Sequence, residues 1–234
     1  MDIRKYFLTL ILLLSYTLYA QSSYDGVWVD EYTYNWIINN VDNMESFFLS
    51  VGSNTNNMKF IADNWKISNV KNMSNFFNFV GRKANINFEY SLDNWNLKNV
   101  ENMNSFFHTF GLNSKSPVTL DLSEWDTSNT TNMGAMFSNA YSLKTIYVSD
   151  KFDTSKVTNM SQMFMKFKGS IQTLDLKDKF YTTSATNMTN MFAYCGATAM
   201  TVLDLGPAFT KIPDGTITFQ YVPHFINCFL QNLI

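Results

Sequence analysis

The sequence predicts an α/β solenoid in which every coil contributes one short strand and one short helix, with the strands forming a parallel sheet. Three observations lead there. An Asn-Met step recurs at Asn43, Asn72, Asn102, Asn132, Asn159 and Asn187, at intervals of 29, 30, 30, 27 and 28 residues. Seven residues before each Asn stands an aromatic: Trp36, Trp65, Trp95, Trp125, Phe152 and Phe180. Upstream of that aromatic lies a short apolar-polar-apolar segment. Periods of this size mark stacked repeat architectures.

The strand is clearest in Leu120-Asp121-Leu122, Leu174-Asp175-Leu176 and Leu203-Asp204-Leu205, and looser in Ile146-Tyr147-Val148 and from Phe88 to Leu92. Alternation of period two places one face inward. The helix is read from the apolar residues at the Met and three and four positions beyond it. These are Phe47-Phe48, Phe76-Phe77, Phe106-Phe107, Met136-Phe137, Met163-Phe164 and Met191-Phe192. Spacing of i, i+3, i+4 suits one face of a helix of about two turns. The six Asn residues then form a ladder of N-caps, each side-chain oxygen accepting from an orphan N–H of the first turn. Glycines at Gly52, Gly81, Gly111 and Gly196, with Gly169 one residue later, fit left-handed stops. On this reading Asn132→Ala or Asn159→Ala costs about 1 kcal/mol, and the same change at Asn129 is nearly silent. One repeat buries too little apolar surface to offset its own ordering entropy, so the copies must stack.

The boundaries follow. Arg4 and Lys5, the apolar run Tyr6 to Leu14 and the more polar Ser15 to Ala20 read as a signal peptide over residues 1–20. Residues 21–40 read as an N-terminal cap and 41–209 as a solenoid of about six coils. Residues 210–234 read as a degenerate last repeat and C-terminal cap. The apolar run is shorter than the 20 or so residues a membrane span needs, and no later segment reaches that length, so no transmembrane segment is expected in the mature chain. The expected location is secreted or cell-surface. Charged residues make up 15% of the chain and the net charge is -2, which leaves no basic footprint for nucleic acid.

The copy Leu120-Asp-Leu-Ser-Glu-Trp-Asp-Thr-Ser-Asn-Thr-Thr-Asn-Met-Gly-Ala-Met-Phe137 closely resembles the repeat of BspA-like leucine-rich-repeat surface proteins, L-D-L-S-x-W-D-T-S-N-V-T-N-M-S-x-M-F. Phe152-Asp-Thr-Ser-Lys-Val-Thr-Asn-Met-Ser-Gln-Met-Phe164 is similar to it in the same way. The resemblance runs from about Trp36 to Phe209. It implies a right-handed, leucine-rich-repeat-like solenoid on an exported microbial surface protein, associated with adhesion to host proteins or other cells. No catalytic residues come with it. The first three repeats depart from the pattern, with Phe-Phe in place of Met-Phe and with insertions around Ser53 to Lys59 and Lys83 to Asn87.

Each chemically suggestive residue also has a structural reading. The tryptophans at constant offset read as core rather than a sugar-stacking platform. Asp121, Asp175 and Asp204 recur on the outward side of the strand as a solvated face. His108 and His224 have no Cys or acidic partner at ligand spacing, and no nucleophile motif accompanies them, so no catalytic residue, metal or cofactor is expected. Among the sequons Asn72-Met-Ser, Asn159-Met-Ser, Asn187-Met-Thr and Asn129-Thr-Thr, only the last stands outside the cap ladder. Cys195 and Cys228 each fall three residues after a Phe; if Phe225 belongs to a degenerate seventh repeat, they hold equivalent places on adjacent coils. They form either a disulfide or a pair of buried thiols.

The expected function is therefore that of an adhesin or protein-binding scaffold without catalysis. Its binding residues would be strand side chains and the segments Ser53 to Lys59, Lys83 to Asn87 and Asn113 to Ser116. The expected partner is a macromolecule, a host or neighbouring-cell surface protein. The apolar C-terminal end, Phe229 to Ile234, offers a route to self-association. The alternative is a variable surface antigen or decoy with a display role and no single ligand.

Overall fold

The computed structural model describes residues 41–50, 67–81, 92, 95–112, 118–167, 180–195, 207–210 and 213, together with the backbone of seven short strands. The strands are β1 (Gly26–Trp28), β2 (Asn57–Phe60), β3 (Asn85–Ile86), β4 (Val118–Asp121), β5 (Leu143–Tyr147), β6 (Thr173–Asp175) and β7 (Val202–Asp204). All pairings are parallel, in the orders β1-β2-β3, β4-β5 and β6-β7. The expected parallel sheet is thus divided into three short ones among the described residues. β1 lies in the segment read as a cap, yet it pairs with β2 like any other rung. β2 overlaps and β3 falls within the stretches read as insertions, and β3 precedes the Phe88 to Leu92 segment read as a strand.

What runs unbroken is the Asn-Met column. Asn43, Asn72, Asn102, Asn132, Asn159 and Asn187 are joined in sequence by parallel bridges. Six copies of the motif are therefore stacked in register, and we number these coils one to six by their Asn.

The two-turn helix expected after each Asn-Met step is not formed, and the α part of the α/β expectation fails among the described residues. A run of tight turns takes its place. In the second coil Phe76, Asn78 and Val80 donate their N–H to the carbonyls of Met73, Asn75 and Phe77, three residues back. The intervening residues Met73, Asn75, Phe77 and Phe79 donate to Asn102, Asn104, Phe106 and His108 of the next coil, at 2.8–2.9 Å. Backbone donors thus alternate between closing a turn and joining the coils. The turns require a left-handed residue every fourth position. Ser46 and Ser50, Asn75 and Phe79, Ser105 and Thr109, Ala135 and Asn139, Gln162 and Lys166, and Asn190 and Tyr194 all have φ between 52° and 62°. Gly81 (φ 58°) and Gly111 (φ 60°) continue the series, so these two glycines are left-handed as expected, although they end no helix.

The turns direct Met, Phe and their equivalents inward. Phe48, Phe77, Phe107, Phe137, Phe164 and Phe192 form one stack of six rings, with neighbouring centroids 5.5–5.9 Å apart and planes within 13°. Phe47, Phe76 and Phe106 stack beside it. Trp95 and Trp125 lie nearly parallel at 6.4 Å and are buried, as are Phe152 and Phe180. Trp36 and Trp65 lie outside the described residues. The result is one continuous apolar cluster from Met44 to Phe209. Each aromatic pair adds about 0.5–1.5 kcal/mol beyond the area it buries.

The left-handed turns make a prediction of opposite sign to that of a helix. In a helix interior Gln162→Gly would cost roughly 1 kcal/mol. At φ 58° glycine relieves a Cβ clash of about 1–2 kcal/mol and loses part of that gain through greater freedom in the unfolded chain. The expected outcome is a gain of about 0.5–1 kcal/mol in stability for Gln162→Gly, read as a higher urea midpoint; a lower midpoint would contradict the turns.

Candidate functional surface

Taken one position at a time, nearly every polar residue of the motif is used within the stack. After the core aromatic comes a side chain that closes a corner. Asn96 accepts from the N–H of Lys98 (3.2 Å), Asp126 from Ser128 (3.0 Å) and Asp153 from Ser155 (2.8 Å). Partial burial acts to raise the Asp126 carboxyl. The Ser128 hydrogen bonds and the positive charges of Lys98 and Lys151 outweigh it and hold the group below the ordinary carboxylate value.

Next stands a buried threonine. Thr127 donates its hydroxyl to the carbonyl of Asp153 (2.9 Å) and Thr154 to that of Tyr181 (2.7 Å). Two positions on, Asn99 Nδ2 donates to Ser68 O (2.6 Å) and Asn129 Nδ2 to Lys98 O (2.9 Å). Asn129 Oδ1 also accepts from Lys156 Nζ (2.6 Å), so this residue ties together three coils. The expectation that Asn129 is a silent site is therefore corrected. Its amide nitrogen, the atom a glycan would use, is already engaged.

The six motif asparagines act as turn caps rather than helix caps. Each Oδ1 accepts from the N–H two residues ahead: Glu45 on Asn43, Ser74 on Asn72, Asn104 on Asn102, Gly134 on Asn132, Ser161 on Asn159 and Thr189 on Asn187, at 2.9–3.1 Å. Asn159 Nδ2 donates to Asn132 Oδ1 (2.9 Å), a cross-coil bond. Gly134 lies beside that bond. A Cβ there would come within 2.7 Å of the amide nitrogens of both Asn104 and Asn159, so the glycine leaves room for the ladder.

Cys195 is a free, fully buried thiol at the place that Val80, Phe110, Ala140 and Phe167 fill in other coils. Burial pushes it up to about 12, which leaves almost no thiolate near neutral pH. Cys228 lies outside the described residues, as do His224 and the side chains of Asp175 and Asp204. Among the described residues no group of three or more His, Cys, Asp or Glu is arranged to hold a metal ion. No helix among them is long and apolar enough to cross a membrane.

Several of the positions left facing solvent differ from copy to copy. Immediately before the Asn column stand Asp42, Lys71, Glu101, Thr131, Thr158 and Thr186, all exposed. Lys71 pairs with Glu101 at 3.4 Å, and each later threonine donates its hydroxyl to the carbonyl at the same position one coil earlier. Thr119, Asp121, Lys144 and Tyr147 project from β4 and β5, with Tyr147 55% exposed. Of the segments expected to bind, Asn113 to Ser116 and the side chains of the other two lie outside the described residues.

Asn159→Ala removes an acceptor for the Ser161 N–H and hydroxyl together with a donor to Asn132. The expected loss is about 1–3 kcal/mol by chemical denaturation. Asn159→Asp keeps the turn acceptor but sets a charged oxygen against Asn132 Oδ1, so it does not restore stability. Lys144→Ala, at an exposed strand position, stays within about 0.5 kcal/mol of the unaltered protein. Full stability in Asn159→Asp would show that the residue acts only as a local cap.

Comparison with known proteins returns one family. The chain matches the family described as Mycoplasma protein of unknown function, DUF285, over residues 20–116 and again over residues 108–203. No curated protein and no solved structure matches it. The two matches span most of the chain and both fall on the stacked Asn-Met coils, and so this protein belongs to the DUF285 family.

Proposed function

We propose that the chain is an exported, non-catalytic binding protein that presents the side of a leucine-rich-repeat-like solenoid to a protein on a host or neighbouring cell. One observation carries this reading. The six copies within the chain serve as an internal comparison. The repeated aromatic, Met and Asn positions are buried or bonded within the stack, whereas several exposed positions change from coil to coil. The column before the Asn runs Asp42, Lys71, Glu101 and Thr131 through the first four coils and keeps threonine at Thr158 and Thr186. A scaffold selected to hold its shape while varying its face is suited to recognition, because loss of surface identity costs it no stability.

Export rests on the charged, apolar and small-residue order of residues 1–20. An extended repeat face with few charges binds through shape and aromatic contacts more than through long-range attraction. Tyr147 is the most exposed aromatic among the described residues, and tyrosine is a frequent anchor of such interfaces.

The test is direct. Residues 21–234, immobilised and exposed to solubilised host-cell surface proteins, are expected to retain a saturable protein component. That binding should survive roughly 0.5 M salt, where surface charges are strongly screened. Tyr147→Ser should weaken it several-fold with no change in denaturation midpoint. Absence of saturable binding, or its loss at moderate salt, would refute the reading and favour a display protein without a fixed ligand.

A further inference from the structure

We propose that His108 is a proton-sensitive latch across coils two, three and four, holding them together when neutral and loosening them when it takes up a proton. The imidazole lies within a polar row that runs along the stack. Its Nδ1 is 3.0 Å from Asn78 Oδ1 of the second coil and 3.0 Å from Thr109 Oγ1 beside it. Its Nε2 is 3.3 Å from Asn139 Nδ2 of the fourth coil.

These partners assign the tautomer. Asn78 Oδ1 can only accept, so Nδ1 carries the proton and donates to it. Asn139 Nδ2 can only donate, so Nε2 must be a bare acceptor. The Asn78 amide is oriented by its other bond, Nδ2 to Asn75 Oδ1 (2.9 Å), so the neutral ring donates from Nδ1 and presents a bare Nε2, to which Asn139 turns its Nδ2. A second proton on the ring would point N–H against N–H across the third and fourth coils and replace a hydrogen bond with a repulsion.

Nothing described around the ring compensates the charge. From the second coil it meets Asn78 and the edge-on ring of Phe79, with centroids 5.7 Å apart. From the fourth it meets Asn139, and beyond that Tyr141. One coil further on, the place equivalent to Asn139 holds Lys166, which brings a positive charge and lies 5.9 Å from the Tyr194 ring centroid. No carboxylate among the described residues is bonded to this row.

The direction of the effect follows from linkage. Burial lowers the His108 pKa from its ordinary value. A group depressed in this way binds more protons in the unfolded chain than in the folded one. The stability it contributes is complete above the unfolded value of about 6.5 and is lost as pH falls from there through the folded value. The backbone of His108 also joins the second coil to the third, since Phe79 N–H donates to His108 O.

Urea denaturation of residues 21–234 at about pH 7.5 and about pH 5.5 reads the latch. The unaltered chain should lose folding equilibrium constant towards acid, by up to about tenfold per pH unit below about 6.5. His108→Gln should remove this fall whatever its own stability, whereas a fall caused by His224 would persist in that variant. Asn139→Asp gives the decisive readout. A carboxylate facing Nε2 accepts from the protonated ring and raises its pKa, so the acid fall should vanish or reverse. An unchanged fall in His108→Gln, or one as steep in Asn139→Asp as in the unaltered chain, would overturn the proposal.

Discussion

The structure depends on one alternation in the backbone. Along the first five Asn-Met segments every second N–H closes a turn on the carbonyl three residues back, and the others reach the carbonyls of the next coil. The first set bends the chain and the second joins the coils. Neither could persist alone. Among the described residues the turns hold twelve non-glycine residues at positive φ, a conformation that L side chains adopt at a cost of about 1–2 kcal/mol each. The cross-coil bonds, and the stacked aromatics they bring into register, offset that strain only when a neighbouring coil is present. Stacking is therefore a condition of the local conformation as well as of the core.

That dependence explains the character of the side chains. A backbone paired only coil to coil needs every copy at the same height, and the phenylalanine stack with its 5.5–5.9 Å spacing repeats that register inside. Hydroxyl and amide groups repeat it at the corners, from the buried Thr127 and Thr154 to Asn99 and Asn129. The motif reads as a list of parts for joining one coil to the next. A residue that serves this way is already bonded within the stack, so under the proposed function recognition falls to the exposed positions.

His108 departs from the pattern in a useful manner. It occupies a position filled by Asn78 and Ser138 in the coils on either side, where a hydroxyl or amide supplies bonds that do not titrate. A histidine supplies similar bonds only while neutral. The substitution of one rung therefore introduces sensitivity to acid into a column otherwise indifferent to it.

Period, stacking order and core membership were legible in the residues themselves, because a constant offset between aromatic, Asn and Met has no other economical cause than equivalent places on equivalent coils. The helix was misread for a physical reason. Apolar residues at i, i+3 and i+4 satisfy any backbone that turns once in about four residues, and a train of left-handed turns does so as well as a helix. A discriminating signal was present: small or amide residues at the third and seventh positions after the Asn, such as Ser46 and Ser50 or Asn75 and Asn139, which tolerate positive φ. Phe79, Lys166 and Tyr194 blur it. The sequence by itself determined the repeat, its register and the identity of the core. Only the tertiary structure decided the conformation of each turn, the role of Asn129 and the setting of His108, because all three depend on donors and acceptors about 30 residues away that become neighbours only when the coils stack.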